Sequence, residues 1–275
     1  MPESPVLRLD SRPESLREWL GGMWRHRAVL MALASKDFRV RYKRASLGAF
    51  WAVAVPVLQA AVLGFVFSRV GKFGTGSRYS YAVYVLAGMA VWAYVSVAVT
   101  SATTSIVDAS SLTDKVWFPR AVLAVVPAVS NLVTLAISVV VVVVAMPLFA
   151  EPFTVRLFLL VPGVVLAVTF TGALGLLLGG LYVYFRDLKF MVQAVVLVWL
   201  YVTPIAYPPS ALGSAGPWLD FNPLTGIVGM FQRAAVDAPV PSTRAVVVSV
   251  VATLLLTVLA VTVHRRHDRL FVDML

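Results

Sequence analysis

The amino-acid sequence predicts an all-α integral membrane protein with six transmembrane helices. It also predicts an amphipathic interfacial helix before them and re-entrant or gate helices on the outer face between spans five and six. Of the 275 residues, 60% are hydrophobic and only 13% are charged. The apolar residues fall into long uncharged runs, which are typical of bilayer spans. We expect a single transmembrane domain over residues 1–275.

Six apolar runs are long enough, or nearly so, to cross a hydrocarbon core of ~30 Å at about 1.5 Å per residue. They are Gly48–Ser68, Ser80–Thr104, Ala121–Phe149, Leu157–Phe185, Phe190–Tyr207 and Ala245–Val263. The last two are near the lower limit of length. Together the runs predict a six-span bundle over residues 48–263.

The distribution of cations predicts the orientation of the chain. With the N-terminus inside, 17 of the 23 Lys and Arg residues lie on the inner side. Cytoplasmic loops carry this excess, so we expect a multi-pass membrane protein with both termini in the cytoplasm. The net charge of +10 does not indicate nucleic-acid binding, because the basic residues flank hydrophobic runs.

The motifs for catalysis and ion coupling are missing. None of the six runs contains Asp, Glu, Lys, Arg or His, whereas ion-coupled carriers usually need an ionisable group within the membrane. The sequence has no cysteine, no G-x-x-x-x-G-K-[ST] phosphate loop and no H-E-x-x-H or G-x-S-x-G motif. We therefore expect a non-catalytic chain without a metal site. If ATP drives it, another chain hydrolyses the ATP.

Residues 11–34 precede the first span and have a helical period. Apolar residues follow the i, i+3, i+4, i+7 spacing, with Arg on the opposite face, and Trp19 and Trp24 belong to the apolar set. Ser11 with Glu14, or Ser15 with Glu18, has the spacing of a capping box. We expect this helix to lie in the membrane interface. The alternative is a helix packed on another protein.

A basic stretch, Lys36–Arg44, follows this helix. Its cations include Arg39, Arg41, Lys43 and Arg44. One interpretation is a membrane-surface anchor. The other is a basic collar that binds the phosphate head group of a lipid-linked substrate entering from the inner leaflet.

The inner loop after the second span combines charges with two aromatic residues. It contains Asp114, Lys115, Trp117, Phe118, Pro119 and Arg120. An exposed aromatic residue flanked by charge is a reasonable docking knob for a partner protein. The alternative is an ordinary connector between two spans.

Residues 207–243, after the fifth span, contain six prolines and four glycines. Their apolar pieces are too short to span, which suggests re-entrant or interfacial helices on the outer face. The functional interpretation is an extracellular gate segment, and the alternative is a structured loop.

Aromatic residues and glycines are also placed within the spans. The candidate channel-lining aromatics are Trp51, Phe65, Trp92, Tyr94, Trp199 and Tyr201. Packing is the commoner role for such residues. Gly172, Gly175 and Gly179 indicate close packing of the fourth span, and Asn131 predicts an interhelical hydrogen bond.

Several motifs together resemble one known family. The charged stretch Lys36–Arg44 leads through Leu47-Gly48 to Trp51 and Pro56, and an inner loop ends in Phe118-Pro119-Arg120. The other motifs are Tyr184-Phe185-Arg186-Asp187, Thr203-Pro204-Ile205-Ala206-Tyr207 and Asn222-Pro223-Leu224. With these motifs in this order, the chain resembles the type-2 membrane permeases of bacterial ABC exporters for cell-surface polysaccharides, including O-antigen, capsule and teichoic acid.

This resemblance implies a homodimer bound to two copies of a separate ATP-binding subunit, which would hold ATP and Mg²⁺. The inner loop Lys115–Arg120, with Asp114, Arg186 and Asp187, would couple to that subunit. The substrate would be a polymer on an undecaprenyl-type diphosphate carrier, moved through a channel lined by aromatic residues. Other partners would be membrane lipids.

Other functions are open to the sequence alone. An ABC exporter of a drug or lipid would have the same spans and loops. A secondary carrier or channel is disfavoured because the spans are uncharged. A membrane enzyme of lipid or glycan synthesis would need clustered carboxylates or histidines near the interface, and none are evident.

Overall fold

The computed structural model describes residues 15–43, 48–70, 79–109 and 118–267, which contain helices and no strands. Ten α-helices lie in these ranges. They are α1 (Leu16–Arg25), α2 (Arg27–Tyr42), α3 (Trp51–Val70), α4 (Tyr81–Asp108), α5 (Ala121–Ser130), α6 (Leu132–Leu148), α7 (Leu160–Tyr184), α8 (Leu188–Val202), α9 (Pro223–Ala235) and α10 (Thr243–His267). Three 3₁₀ segments lie at Gly48–Phe50, Val155–Leu159 and Pro209–Phe221.

The helical region before the first span consists of two helices separated at His26. Helix α1 begins with a capping box: the Ser15 backbone N–H donates to the Glu18 carboxylate at 2.9 Å, and the Glu18 N–H donates to the Ser15 hydroxyl. The predicted Ser15–Glu18 box is thus confirmed. The alternative box at Ser11 and Glu14 lies outside the described residues.

Five segments are long and apolar enough to cross a membrane: Trp51–Arg69, Tyr81–Asp108, Ala121–Leu148, Val155–Tyr184 and Thr243–Arg265. The sixth expected span, Phe190–Tyr207, near the lower limit of length, corresponds to a shorter apolar helix, Leu188–Val202. Helix α8 has 15 residues and ends at Val202. The reason is Pro204, because the residue before a proline is disfavoured in the α conformation, and Thr203 is extended with ψ 131°.

Helix α4 lies at the centre of the bundle. In the most apolar 18-residue stretch of α4, 78% of the residues are buried, whereas 17% are buried in the corresponding stretches of α3 and α10. It packs on α3, α5, α6, α7, α8 and α9. The outer helices therefore present wide apolar faces to their surroundings, whereas α4 presents almost none.

Glycines allow α7 to approach α4 and α5 closely. A Cβ atom at Gly175 would lie 2.7 Å from the Ala102 Cβ, and one at Gly179 would lie 2.9 Å from the Ala102 carbonyl oxygen. These distances confirm close packing at both positions. At Gly172 a Cβ would meet no atom within 4 Å, so that glycine is not required by packing.

The segment after α8 contains no helix long enough to span. The 3₁₀ segment Pro209–Phe221 is interrupted at Gly213, which has φ 52° and ψ −122°. Helix α9 then starts with Pro223 in its first turn, and the Asn222 side chain caps it by accepting from the Leu224 N–H. Most of α9 is buried against α4, α7 and α10.

Candidate functional site

The candidate functional site is the end of the bundle where α1, α2, the start of α5 and the end of α4 meet. Trp19 and Phe118 are both buried there, in one apolar cluster with residues of α5. Helix α2 then runs along α5, so that α1 and α2 are held against the bundle. The opposite edge of α1 is exposed, with Trp24 at 72% of its surface.

The predicted coupling residues divide into three groups. Asp114, Lys115 and Trp117 lie outside the described residues. Pro119 and Arg120 are half-buried, while Arg186 and Asp187 form an exposed turn between α7 and α8. The Arg186 guanidinium lies 5.6 Å from the centre of the Tyr182 ring.

The expected exposure of Phe118 is wrong, because this side chain is 7% exposed. The sequence shows only a short charged loop, and the α1 helix that covers Phe118 comes from about a hundred residues earlier. Buried against Trp19, Phe118 can fix the end of the loop to α1. It cannot itself be a docking knob in this conformation.

A polar clasp joins α2 to the junction between α5 and α6; it consists of Asp37, Arg41, Ser130 and Asn131. Arg41 Nη1 donates to Asn131 Oδ1 at 2.6 Å, and Nη2 donates to Asp37 Oδ2 at 3.1 Å. The Ser130 hydroxyl donates to Asp37 Oδ2 at 2.5 Å. Asn131 Nδ2 also donates to the Pro127 carbonyl, an acceptor in the preceding turn. The predicted interhelical hydrogen bond of Asn131 is confirmed.

The four candidate head-group residues are therefore not equivalent. Arg41 is half-buried and engaged in the clasp. Arg39 and Lys43 are exposed, and Arg39 donates to the Ser35 carbonyl of its own helix. Arg44 lies outside the described residues. An incoming anion has direct access to Arg39 and Lys43.

The candidate channel aromatics also separate by exposure. Trp51, Phe65 and Tyr201 are 44%, 64% and 56% exposed. Trp92 and Tyr94 are buried in the core beside α5, and the Tyr94 hydroxyl donates to the Ala128 carbonyl. A side chain buried inside one chain cannot line a channel, so these two are core residues in this conformation.

Trp199 has a different environment from the exposed aromatics. It is half-buried, and its Nε1 donates to Asn222 Oδ1 at 2.9 Å. The Asn222 side-chain amide also donates to Thr203 Oγ1 at 3.0 Å. Trp199 and Asn222 thus join the end of α8 to the start of α9.

Residues 203–207 continue from α8 in a non-helical conformation, and side chains satisfy their backbone. Gln232 Nε2 donates to the carbonyls of Pro204 and Ile205 at 3.2 and 3.1 Å. The Tyr81 hydroxyl donates to the Ala206 carbonyl. Residues 203–206 are buried, so without these donors the carbonyls would carry a desolvation cost.

A second charged cluster lies on the outer side of the predicted topology. Asp237 accepts from Arg233 Nη1 at 2.5 Å and forms an ion pair with Arg156 Nη1 at 2.8 Å. Arg233 Nη1 also donates to the Ala238 carbonyl. The hydrogen bond from Arg233, assisted by Arg156, holds the pKa of the Asp237 carboxyl below its ordinary value.

Comparison with known proteins identifies the family. The family described as ABC-2 type transporter matches residues 28–235, most of the chain. The chain belongs to the ABC-2 type transporter family. The resemblance inferred from the sequence motifs is thereby confirmed at the level of the family.

Curated relatives of this ABC-2 chain cover most of its length. It is 26% identical over 222 residues to the O-antigen export system permease protein RfbA of Myxococcus xanthus, which is 80% of this chain and 84% of the relative. It is 25% identical over 202 residues to a protein of the same name from Klebsiella pneumoniae, 73% of this chain and 77% of the relative. A second protein of that name from Klebsiella pneumoniae is 23% identical over 202 residues.

Membership of the ABC-2 family determines the general role of the chain. It is a non-catalytic, multi-pass transmembrane permease subunit, and ABC-2 permeases work with ATP-binding subunits. This confirms the prediction that the chain is non-catalytic and that any ATP hydrolysis takes place in another chain.

Sequence reasoning missed several residues that organise the two ends of this ABC-2 permease. Asp37 and Ser130 of the clasp, and Gln232 with its two carbonyl acceptors, were not singled out. A signal existed for Ser130, because Ser130-Asn131 is a polar pair inside an otherwise apolar run and follows Pro127. For Gln232 the only signal was one amide in an apolar segment, which does not identify its acceptors.

Proposed function

We propose that this chain is the membrane half of an ATP-driven exporter that moves a lipid-linked cell-surface polysaccharide or teichoic-acid-like polymer across the cytoplasmic membrane. The observation that carries the proposal is the extent of similarity to the O-antigen export permeases, which covers 80% of this chain and 84% of the Myxococcus xanthus protein. At about a quarter identity the polymer itself is not specified.

The proposed topology has six spans, with α8 as a short fifth span and both termini in the cytoplasm. At about 1.5 Å per residue, the 15 residues of α8 extend ~22 Å, short of a ~30 Å core. Residues 203–207 can complete the crossing, since non-helical backbone is tolerated at membrane depth where protein buries it. Hydrogen bonds from Gln232 and Tyr81 to the carbonyls of this segment support the proposal.

In the proposed complex two copies of this chain bind two ATP-binding subunits, which hold ATP and Mg²⁺. The path for the polymer runs between the copies and is lined by the exposed aromatics Trp51, Phe65 and Tyr201. Aromatic faces suit sugar rings because stacking provides contact without a fixed hydrogen-bond register. Residues 207–243 form the outer gate segment.

At the inner end, Arg39 and Lys43, with Arg44, receive the diphosphate of the lipid carrier. Arg41 contributes by holding α2 in place, because its guanidinium is engaged by Asp37 and Asn131. ATP binding in the partner acts on the loop that contains Asp114, Lys115 and Trp117 and on the Arg186–Asp187 turn. Phe118 transmits the movement to α1 through its contact with the Trp19 cluster.

The test is reconstitution of this chain with its co-purified ATP-binding partner in proteoliposomes. Lipid-linked glycan should stimulate ATP hydrolysis, whereas the same glycan without its lipid carrier should not. Trp117→Ala should abolish this stimulation while leaving assembly intact. Stimulation by a hydrophobic drug or a phospholipid, with no response to lipid-linked glycan, would assign the chain to a different cargo.

A further inference from the structure

A crevice of about 510 Å³ lies between α2, the end of α4 and α5. Among the described residues, its charged lining residues are Lys36, Asp37 and Asp108, and its hydroxyl groups include those of Ser101 and Thr104. Asp108 belongs to none of the sites proposed above, and the proposed transport path does not use the crevice. Its volume is sufficient for a phosphate-containing lipid head group.

The charges available inside this crevice have opposite signs. The Asp37 carboxylate is engaged by Arg41 and Ser130. Lys36 and Asp108 are exposed, and the ion pairs among the described residues involve only Asp37 and Asp237. One ammonium group and one carboxylate are thus left facing the same space. A ligand that complements both must itself carry an anion and a cation.

The proposed topology places the crevice at the inner boundary of the bilayer. Helix α4 has 28 residues, or about 42 Å, so it extends ~12 Å beyond a ~30 Å hydrocarbon core. Asp108 is the last residue of α4, while Ser101 is about two turns nearer the membrane. Val40 and Val126 line the crevice as well, so its wall offers apolar contact next to the charges.

We propose that this crevice binds the head group of a zwitterionic phospholipid with a primary ammonium, such as phosphatidylethanolamine. Lys36 receives the phosphate, and Asp108 receives the ammonium. The hydroxyls of Ser101 and Thr104 donate to the remaining phosphate oxygens. An anionic head group fits less well, because it places negative charge beside Asp108 without an ammonium to neutralise it. The bound lipid fills the space between α2 and α4, beside the proposed coupling loop.

The inner position of the crevice rests on the proposed topology, but lipid retention can be measured independently of transport. The purified complex, in mild detergent, is exchanged with phosphatidylethanolamine, phosphatidylcholine or phosphatidylglycerol of identical acyl chains. Native mass spectrometry then measures the lipid-bound fraction. Retention should follow the order ethanolamine, choline, glycerol, because choline keeps the positive charge but has no N–H donor. Equal or greater retention of phosphatidylglycerol would overturn the proposal.

Two substitutions test which group of the lipid each charged residue binds. Asp108→Asn should lower the retention of phosphatidylethanolamine about two- to fivefold, the range expected for an exposed ion pair, and raise that of phosphatidylglycerol, because the repelling carboxylate is removed. Lys36→Gln should lower the retention of both lipids. Asp220→Asn and Arg17→Gln are matched controls outside the crevice and should have no effect. Unchanged retention of phosphatidylethanolamine by Asp108→Asn would overturn the assignment, even if export of the polymer were normal.

Discussion

At the scale of single residues, side chains of the same type differ in their hydrogen-bonding partners. Arg39 and Arg41 are two positions apart and carry the same charge, but among the described residues only Arg41 donates to other side chains. The guanidinium donates from two separate nitrogens held in one plane, whereas an ammonium group donates from a single nitrogen. The roles of these two arginines should therefore differ when each is replaced by lysine.

We expect Arg41→Lys to destabilise the protein by about 1–2 kcal/mol, because a lysine cannot donate to both Asp37 and Asn131 in the same geometry. Arg39→Lys is the matched control and should change stability by less than about 0.5 kcal/mol. Thermal unfolding in detergent measures both. Equal melting temperatures for the two variants would contradict the clasp.

The Asp237 cluster predicts a pH dependence of stability. Because the pKa of Asp237 is lower in the folded state, its contribution is fully present above the unfolded value of about 4. It is lost as the pH falls through the lower folded value. Between pH 6 and pH 3 the melting temperature of the wild type should decrease more than that of Asp237→Asn. Parallel curves would show that the Arg233 and Arg156 contacts do not stabilise the fold.

At the scale of helices, packing against α4 explains which sequence changes α7 can tolerate. Gly172 and Gly179 lie seven residues apart, about two turns, on the same helix. Only Gly179 faces a backbone atom at a distance that excludes a Cβ. The two glycines therefore predict opposite effects of the same substitution.

Gly179→Ala should destabilise the protein by about 1–3 kcal/mol, because the new methyl group meets the Ala102 carbonyl and Ala124. Gly172→Ala should be neutral or stabilise by up to about 1 kcal/mol, since alanine is favoured over glycine within a helix. Both can be measured by thermal unfolding in the same detergent. Destabilisation by both substitutions to the same extent would contradict the difference in packing between the two positions, and stabilisation by both would mean that helix propensity decides the outcome.

Elements with strong local signals were predicted from the sequence. The Ser15–Glu18 capping box and the close approach at Gly175 and Gly179 were identified because short-range chemistry determines them. Thr203-Pro204 also indicates the end of α8. The apolar run continues to Tyr207, however, and on its own it favours a longer span. The burial of Trp92 and Tyr94 was not predictable, because a span that is apolar on every side gives no indication of which face meets protein. The burial of Phe118 was not predictable either, because its loop is charged and Trp19, which belongs to the same apolar cluster, is distant in sequence.

At the scale of the whole molecule, the number of spans determines the side on which each loop lies. If α8 and residues 203–207 cross the membrane, the gate segment 207–243 is outside and both termini are inside. If they do not cross, the gate segment lies inside, and the C-terminal end of α10 is outside. The absence of native cysteine makes this directly measurable.

Ser214→Cys, an exposed position in the gate segment, should react with a membrane-impermeant maleimide in right-side-out vesicles. Ala28→Cys, exposed in α2, should react only after permeabilisation. Labelling is read by the mass increase of the purified chain. Protection of Ser214→Cys until permeabilisation would place the gate segment in the cytoplasm and exclude the six-span topology.

The connection between α8 and the gate segment has a mechanical consequence. In a continuous helix, a local bend strains several main-chain hydrogen bonds along the same axis. Between residues 203 and 207 the carbonyls are instead held by separate side chains, from Gln232 and Tyr81. Each contact can be released and replaced in turn, so this segment can act as a hinge whose movement proceeds in small steps. The proposed gate segment can then change its angle to α8 while the helices α8 and α9 stay intact.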